Sequence, residues 1–402
     1  MKFFKKGELK LLWPFYLDSL ISPMLFLISA FMVVYFRNFG LSLFQTSLLF
    51  AMIPLFMILF EIPTGAIADL YGRKFSVLIG TIILGITIIS IFFLTNFYAL
   101  LFAFAMIGIG NTFSSGAKEA WITDLIKKEK KDFLLGYFAK SSSMESFGLV
   151  LSGIIGALLV KQFGISVIWI VTGLSFLITF SFLIFAKEHF VKRKIKIKDS
   201  IKNITKQSAT SIKYVKNNSI LFLFLIANVI VTFAWAFNGD LAWVPFLQGL
   251  NFPDYAFGYL WSAMGAVGIF ASLMSIKFMK KGKERQFILS TIILTIIFLL
   301  SIIFVNNLIP AFLIFLFLTF FVKMSYPAER VYFHKFIKSK LRATIGSVES
   351  MLISIIGIIS IPLAGLSVDY LGARYTILLS ALLLVPSIII YLKIRNKENL
   401  AE

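Results

Sequence analysis

Cysteine is absent from the 402 residues, so disulfides, thiol nucleophiles and thiolate-bound metals are excluded at once. Histidine occurs only as His189 and His334, each in a basic stretch where it reads as a solvated residue, and no metal site is expected. Charge is scarce as well. Asp, Glu, Lys and Arg make up 14% of the chain, against about 25% in an ordinary soluble domain, which leaves too little polar surface to cover a globule. No G-x-x-x-x-G-K-[ST] loop is present and no polar stretch is long enough to house a catalytic domain. An enzyme or an ATP-driven pump is therefore excluded, and no cofactor is expected.

Hydrocarbon fills the chain instead. Hydrophobic residues make up 59% and the mean hydropathy is +0.92. Apolar runs of about 20 residues recur along the whole length, each able to cross a bilayer as a helix that satisfies its own backbone. The fold class is an all-α polytopic membrane protein. The basic start "MKFFKKGELK" resembles that of a signal peptide, but the apolar run 11–36 is too long and lacks a small-residue cleavage site, so it is expected to remain as the first span.

Breaks in hydropathy predict twelve transmembrane helices. Six lie at 11–36, 43–68, 75–94, 98–122, 133–160 and 165–186, and six more at 220–246, 255–279, 287–304, 308–326, 343–368 and 375–394. Placing the N-terminus inside leaves only Arg37, Lys161 and Arg374, of 39 Lys and Arg, on the outer side. So strong an asymmetry orients the chain with both termini cytoplasmic. The formal net charge of +20 is then a topology signal, and no nucleic-acid partner is needed to explain it. Residues 187–219 form a basic linker in which Ile201, Ile204, Ser208, Ile212 and Val215 recur at helical spacing, as a surface helix would; the plainer alternative is a solvated tether held by anionic headgroups.

The halves on either side of that linker resemble each other. "SGAKEAWITDLIKK" (115–128) aligns with "YPAERVYFHKFIKS" (326–339), each closing a fourth span, and "GYFAKSSSMESFG" aligns with "GSVESMLISIIG", each opening a fifth. Residues 1–186 are expected to form one six-helix bundle and 220–402 a second, related by pseudo-symmetry.

The stretch "GAIADLYGRK" (65–74), on the inner side between the second and third spans, carries the chain's most specific signal. It resembles the loop signature G-x-x-x-D-x-x-G-R-K/R of the major facilitator superfamily, and the twelve-span, two-half pattern extends the resemblance over the entire chain. The branch it is most similar to is that of the multidrug, drug–proton antiporters. The resemblance implies a conformational latch. Gly65 would allow close helix approach, and Gly72 the tight turn. Asp69 would face the N-terminus of the eleventh span, while Arg73, next to Lys74, would pair with an acid such as Asp124 in "WITDLI". The plainer alternative is that Arg73 and Lys74 only anchor the loop, with Asp69 balancing them. A second copy, "GLSVDYLGAR" (365–374), falls on the outer side, as inverted repeats would place it.

Ionisable groups at membrane depth ordinarily face a cavity or a partner. Asp18 and Asp240 have no basic residue nearby within their own helices and are the first candidates for carrying a proton. Glu119 is a further candidate, with pairing to Lys118, Lys140 or Lys323 as the alternative. The family resemblance places the first, fourth, seventh and tenth spans around a central cavity, which brings in Tyr16, Asn111, Asn228, Trp235 and Tyr326 as candidate substrate contacts. Aromatic walls with isolated acids suit hydrophobic or cationic substrates.

Two departures stand against drug–proton antiport. The fourth span reads "LLFAFAMIGIGNTF", without the arginine such antiporters place before G-x-G, and "GLVLSGIIGA" (148–157) keeps the fifth-span glycine spacing without its proline. Three readings follow. The first is a secondary active transporter, driven by a proton gradient, that exports hydrophobic or cationic compounds. The others are an importer or facilitator of a small polar solute, and a non-transporting receptor or lipid-scrambling relative. The expected setting is the inner or plasma membrane, with a monomer in the bilayer and a small molecule as partner.

Overall fold

The computed structural model describes residues 4–129, 133–189, 214–280, 282–337 and 341–399. The stretch 190–213, where the surface helix is expected, lies outside them. Among the described residues fifteen α-helices follow one another: α1 (Glu8–Met24), α2 (Ile28–Asn38), α3 (Leu43–Tyr71), α4 (Arg73–Ile91), α5 (Phe97–Ser114), α6 (Ala117–Lys128), α7 (Leu134–Phe163), α8 (Val167–Leu183), α9 (Ser219–Phe237), α10 (Asp240–Gly249), α11 (Phe257–Phe278), α12 (Glu284–Ser301), α13 (Leu308–Lys335), α14 (Arg342–Leu371) and α15 (Ala373–Asn399). No strand occurs among the described residues. Among the described residues eleven helical segments are long and apolar enough to cross a membrane, and Val167–Leu183 is a shorter apolar helix, which together make the twelve expected spans.

Three spans are broken. The first is interrupted at 25–27, two residues after Pro23, where Leu25 still donates to the Ile21 carbonyl and Phe26 turns back to that of Pro23. Thr172 of α8 repairs the gap: its hydroxyl accepts from the Leu27 N–H at 3.0 Å and donates to the Leu25 carbonyl at 3.2 Å. Backbone groups left open in hydrocarbon would cost several kcal/mol, on the order of a lost hydrogen bond each. The fourth span breaks at Gly116, whose φ of 67° a side chain would disfavour. The seventh turns at 238–239, where the Asn238 side chain accepts from Trp243 Nε1 at 2.8 Å.

The chain forms two compact units. One consists of Met1–Tyr35, Met52–Ser200 and Asp254–Ser262, and the other of Phe36–Ala51, Ile201–Pro253 and Ala263–Glu402. In the first, α4 packs against α5 and α8, and α1 against α7 and α8. Small residues set the α4 seams: a Cβ on Gly80 would lie 2.7 Å from the Gly110 carbonyl, and one on Gly173 2.8 Å from that of Gly85. Gly108 likewise meets the Ile53 backbone, the packing role expected of small residues in membranes. Phe15 and Trp121 meet edge to face at 4.8 Å in this unit's core. In the second unit α9 packs on α14 and α15, and α12 on α13 and α15. There Phe224, Tyr332, Phe333 and Tyr391 form a buried aromatic cluster.

Candidate functional site

The turn between α3 and α4 is built around Gly72, whose φ of 103° is open to glycine and closed to most side chains. Arg73 follows it, and its Nη1 donates to Asp124 Oδ2 at 2.5 Å. The expected Arg73–Asp124 pair is therefore made, but in the open, with side chains 31% and 62% exposed. Lys74 turns the other way. Its Nζ donates to the Ile184 and Ala186 carbonyls at 2.6 and 2.8 Å, at the end of α8.

An acid that the sequence reading passed over completes this turn. Glu188 Oε1 accepts the Lys74 N–H at 3.0 Å, setting a carboxylate on the N-terminus of α4. A Cβ at residue 72 would stand 2.8 Å from Glu188 Oε2, a second reason for glycine there. Trp121 Nε1 donates to the Lys187 carbonyl at 2.8 Å, and His189 approaches Glu129 at 3.5 Å. The first residues of the basic linker are thus tied beneath the turn. Asp69 is exposed in the last turn of α3 and has no hydrogen bond or ion pair among the described residues. The close approach expected at Gly65 is not made, since a Cβ there would meet nothing within 4 Å.

Inside the first unit the two buried acids among the described residues, Asp18 and Glu8, are paired. Asp18, only 4% exposed, forms an ion pair with Lys118 of α6. The expectation of an acid without a basic partner is corrected here: the break at Gly116 starts a new helix, α6, and Lys118 lies in its first turn. Glu119, next in sequence, is exposed and takes none of the expected lysines among the described residues. Asn111 is half-buried one turn before the break, and its carbonyl accepts the Ser115 N–H.

A second buried cluster lies at the start of α1. Glu8 accepts from Lys140 Nζ on both oxygens, at 2.7 and 2.8 Å, from the Tyr16 hydroxyl at 2.5 Å and from the Lys5 N–H at 2.7 Å. Tyr16 is thereby occupied by a structural acid and also packs on Tyr137 at 5.2 Å. Further along the α1–α7 seam the Ser19 and Ser141 hydroxyls share a hydrogen bond of 2.6 Å, and Ser141 donates to Glu145 at 3.2 Å. Glu8, Leu12, Tyr16 and Ser19 recur at helical spacing, so this stripe could have been found by extending the helix three residues past the hydropathy limit.

The second unit holds its own cluster. Glu349, 4% exposed, accepts from Arg330 Nη1 at 2.9 Å and from Asn228 Nδ2 at 3.3 Å. The Arg330 guanidinium lies 5.3 Å over the ring of Tyr326, which is itself largely exposed. Glu329 accepts from Ser325 one turn away, at 2.5 Å. Asp240 opens α10 straight after the break at 238–239, exposed and without a partner among the described residues, and the half-buried Trp235 precedes that break. Asn228 and Tyr326 thus share one cluster, which Trp235 and Asp240 do not join.

A chain so built, apolar throughout with buried ion pairs at membrane depth, matches known proteins over most of its length. The model of the Major Facilitator Superfamily matches residues 19–348. An uncharacterized MFS-type transporter of Methanocaldococcus jannaschii is 24% identical over 62% of this chain and 68% of its own. A multi-drug resistance efflux pump of Streptococcus pneumoniae is 28% identical over 73% of each chain. Among solved structures, a bacterial homolog of the human lysosomal transporter Spinster, in its inward-facing and occupied conformation, superposes with a TM-score of 0.73 over 98% of both chains at 15% identity, a likeness of fold alone. The chain is an integral membrane protein that belongs to the major facilitator superfamily, and it is a secondary transporter rather than an enzyme.

Proposed function

We propose that this transporter couples proton movement to the export of hydrophobic or cationic small molecules by alternating access, with both termini cytoplasmic. The observation that carries the reading is the Asp18–Lys118 pair, a carboxylate shielded at membrane depth and held by a lysine from a second helix. A proton delivered to Asp18 neutralises it and frees Lys118; its departure restores the pair. Two charge states with different contacts are what coupling to a conformational equilibrium requires. Asp240, exposed and unpartnered among the described residues at a helix break, offers a second carboxyl able to take up a proton. The efflux pump of Streptococcus pneumoniae supports the substrate class.

The test is transport in proteoliposomes with an imposed pH gradient, using tetraphenylphosphonium as the lipophilic cation. Asp18→Asn and Asp240→Asn should lose gradient-driven accumulation by tenfold or more yet keep downhill exchange. Uphill, pH-dependent transport surviving in both variants overturns proton coupling. A second reading, a facilitator or importer of a small polar solute, is favoured by the missing arginine before Gly108 and the missing proline in 148–157. Passage of such a solute without any cation transport would put it first.

A further inference from the structure

Helix α3 carries the same chemistry at both of its ends. Its last turn holds Asp69, followed by Gly72, Arg73 and Lys74. Its first turn is held by the second copy of that pattern, Gly365, Asp369, Gly372 and Arg374, which joins α14 to α15. The two turns share one backbone shape: Gly72 has φ 103° and ψ 152°, and Gly372 has φ 84° and ψ 160°.

Their acids stand in opposite conditions. Asp69 has no partner among the described residues. Asp369 grips α3: its Oδ1 accepts the Leu43 N–H at 3.0 Å and its Oδ2 the Phe44 N–H at 2.8 Å. These are the first two N–H groups of the helix, which have no acceptor inside it, and a carboxylate placed there meets the positive end of the helix dipole. Gly365 makes the approach possible, because a Cβ there would overlap the Leu43 carbonyl and come within 2.7 Å of Ser47 Cβ. Arg374 fixes the turn from the far side, donating to the carbonyls of Ile303 at 3.1 Å and Val305 at 2.5 Å and to Asn306 Oδ1 at 3.1 Å. These residues all belong to the second compact unit.

We propose that Asp369 is a positioning residue of the transport cycle, a carboxylate clamp on the start of α3 that is made in one transport state and released in the other. Both oxygens engage backbone groups and neither engages a fixed cation among the described residues, so the clamp can open into water without stranding a charge. The inference rests on membership of the superfamily and not on proton coupling, so the two can fail separately.

The experiment exploits the absence of native cysteine. Spin labels on cysteines introduced at Ser42 and Tyr370, both exposed, report the separation of the clamped ends in the full-length protein in lipid nanodiscs. The wild type should show a short and a long distance. Asp369→Asn should reduce the short population relative to the long by at least about threefold, the scale of a charge at a helix terminus, and Asp369→Glu should restore part of it. Gly365→Ala, which touches no charge, should deplete the short population as well. A single short distance shared by the wild type, Asp369→Asn and Gly365→Ala overturns the proposal. So does a shift in Asp369→Asn that is no larger than in Asp254→Asn, a change outside the clamp residues.

Discussion

Glu8→Gln should destabilise the protein by about 3 kcal/mol, and the geometry says why. The carboxylate receives four hydrogen bonds, two from Lys140 and one each from Tyr16 and Lys5. A glutamine keeps the shape but offers one acceptor oxygen, so a donor facing the new amide loses its partner. The larger effect is electrostatic. The side chains of Glu8 and Lys140 are 1% and 16% exposed, so solvent screens the pair weakly, and the variant takes from the ammonium the carboxylate that accepts two of its bonds. Removing one member of a buried pair costs about 3–5 kcal/mol, and the lower end applies because Lys140 keeps some access to water. Lys140→Met should cost a similar amount. In the double variant no charge is stranded, and its loss should fall short of the sum of the singles by about 2 kcal/mol. Unfolding of the purified protein in mixed micelles, followed by tryptophan fluorescence, measures all three. A loss below about 1 kcal/mol for Glu8→Gln, or simple additivity in the double variant, would refute the reasoning.

The Arg73–Asp124 pair should behave in the opposite way. Although its hydrogen bond is short, both groups are open to solvent, and Asp124→Asn should change stability by under about 1 kcal/mol in the same assay, an effect that high salt erases. Thr172→Val keeps the shape of the side chain but takes the hydroxyl from both groups, leaving the Leu27 N–H only its 2.9 Å bond to the Leu25 carbonyl. It should cost about 1–3 kcal/mol, and hydrogen exchange at Leu27 should accelerate.

Span number and the family turn were legible because they rest on local chemistry. A run of hydrocarbon of bilayer length can only be a helix in lipid, and the glycine at 72 can be read from the turn it must make. Pairings were harder. Asp18 could be placed at depth by counting residues, but its partner Lys118 lies a hundred positions away, behind a break that one glycine creates. Hydropathy sets the start of the first span at 11 and so leaves Glu8 out, whereas the helix begins at Glu8 and runs for as long as its backbone bonds close. Glu188 was read as part of a linker defined by its charge, although it closes the turn at Gly72. Gly65 shows the reverse error: a glycine inside a motif was given a packing duty where the structure leaves open space. Charge composition locates a segment; it does not say which atom the segment will reach.

The glycine seams of α4 decide where the first unit can be soft. At Gly80, Gly85, Gly110 and Gly173 the helices meet through backbone or short aliphatic contacts, and such a seam has few rotamers to exchange. Three helices joined this way move together or not at all. Deformation within the unit must then collect where the helices are already interrupted, at 25–27 and at 115–116. Compliance is thus placed on the first and fourth spans, whose segments α1 and α6 carry Asp18 and Lys118. A change in the charge of that pair acts on the part of the unit least able to resist it.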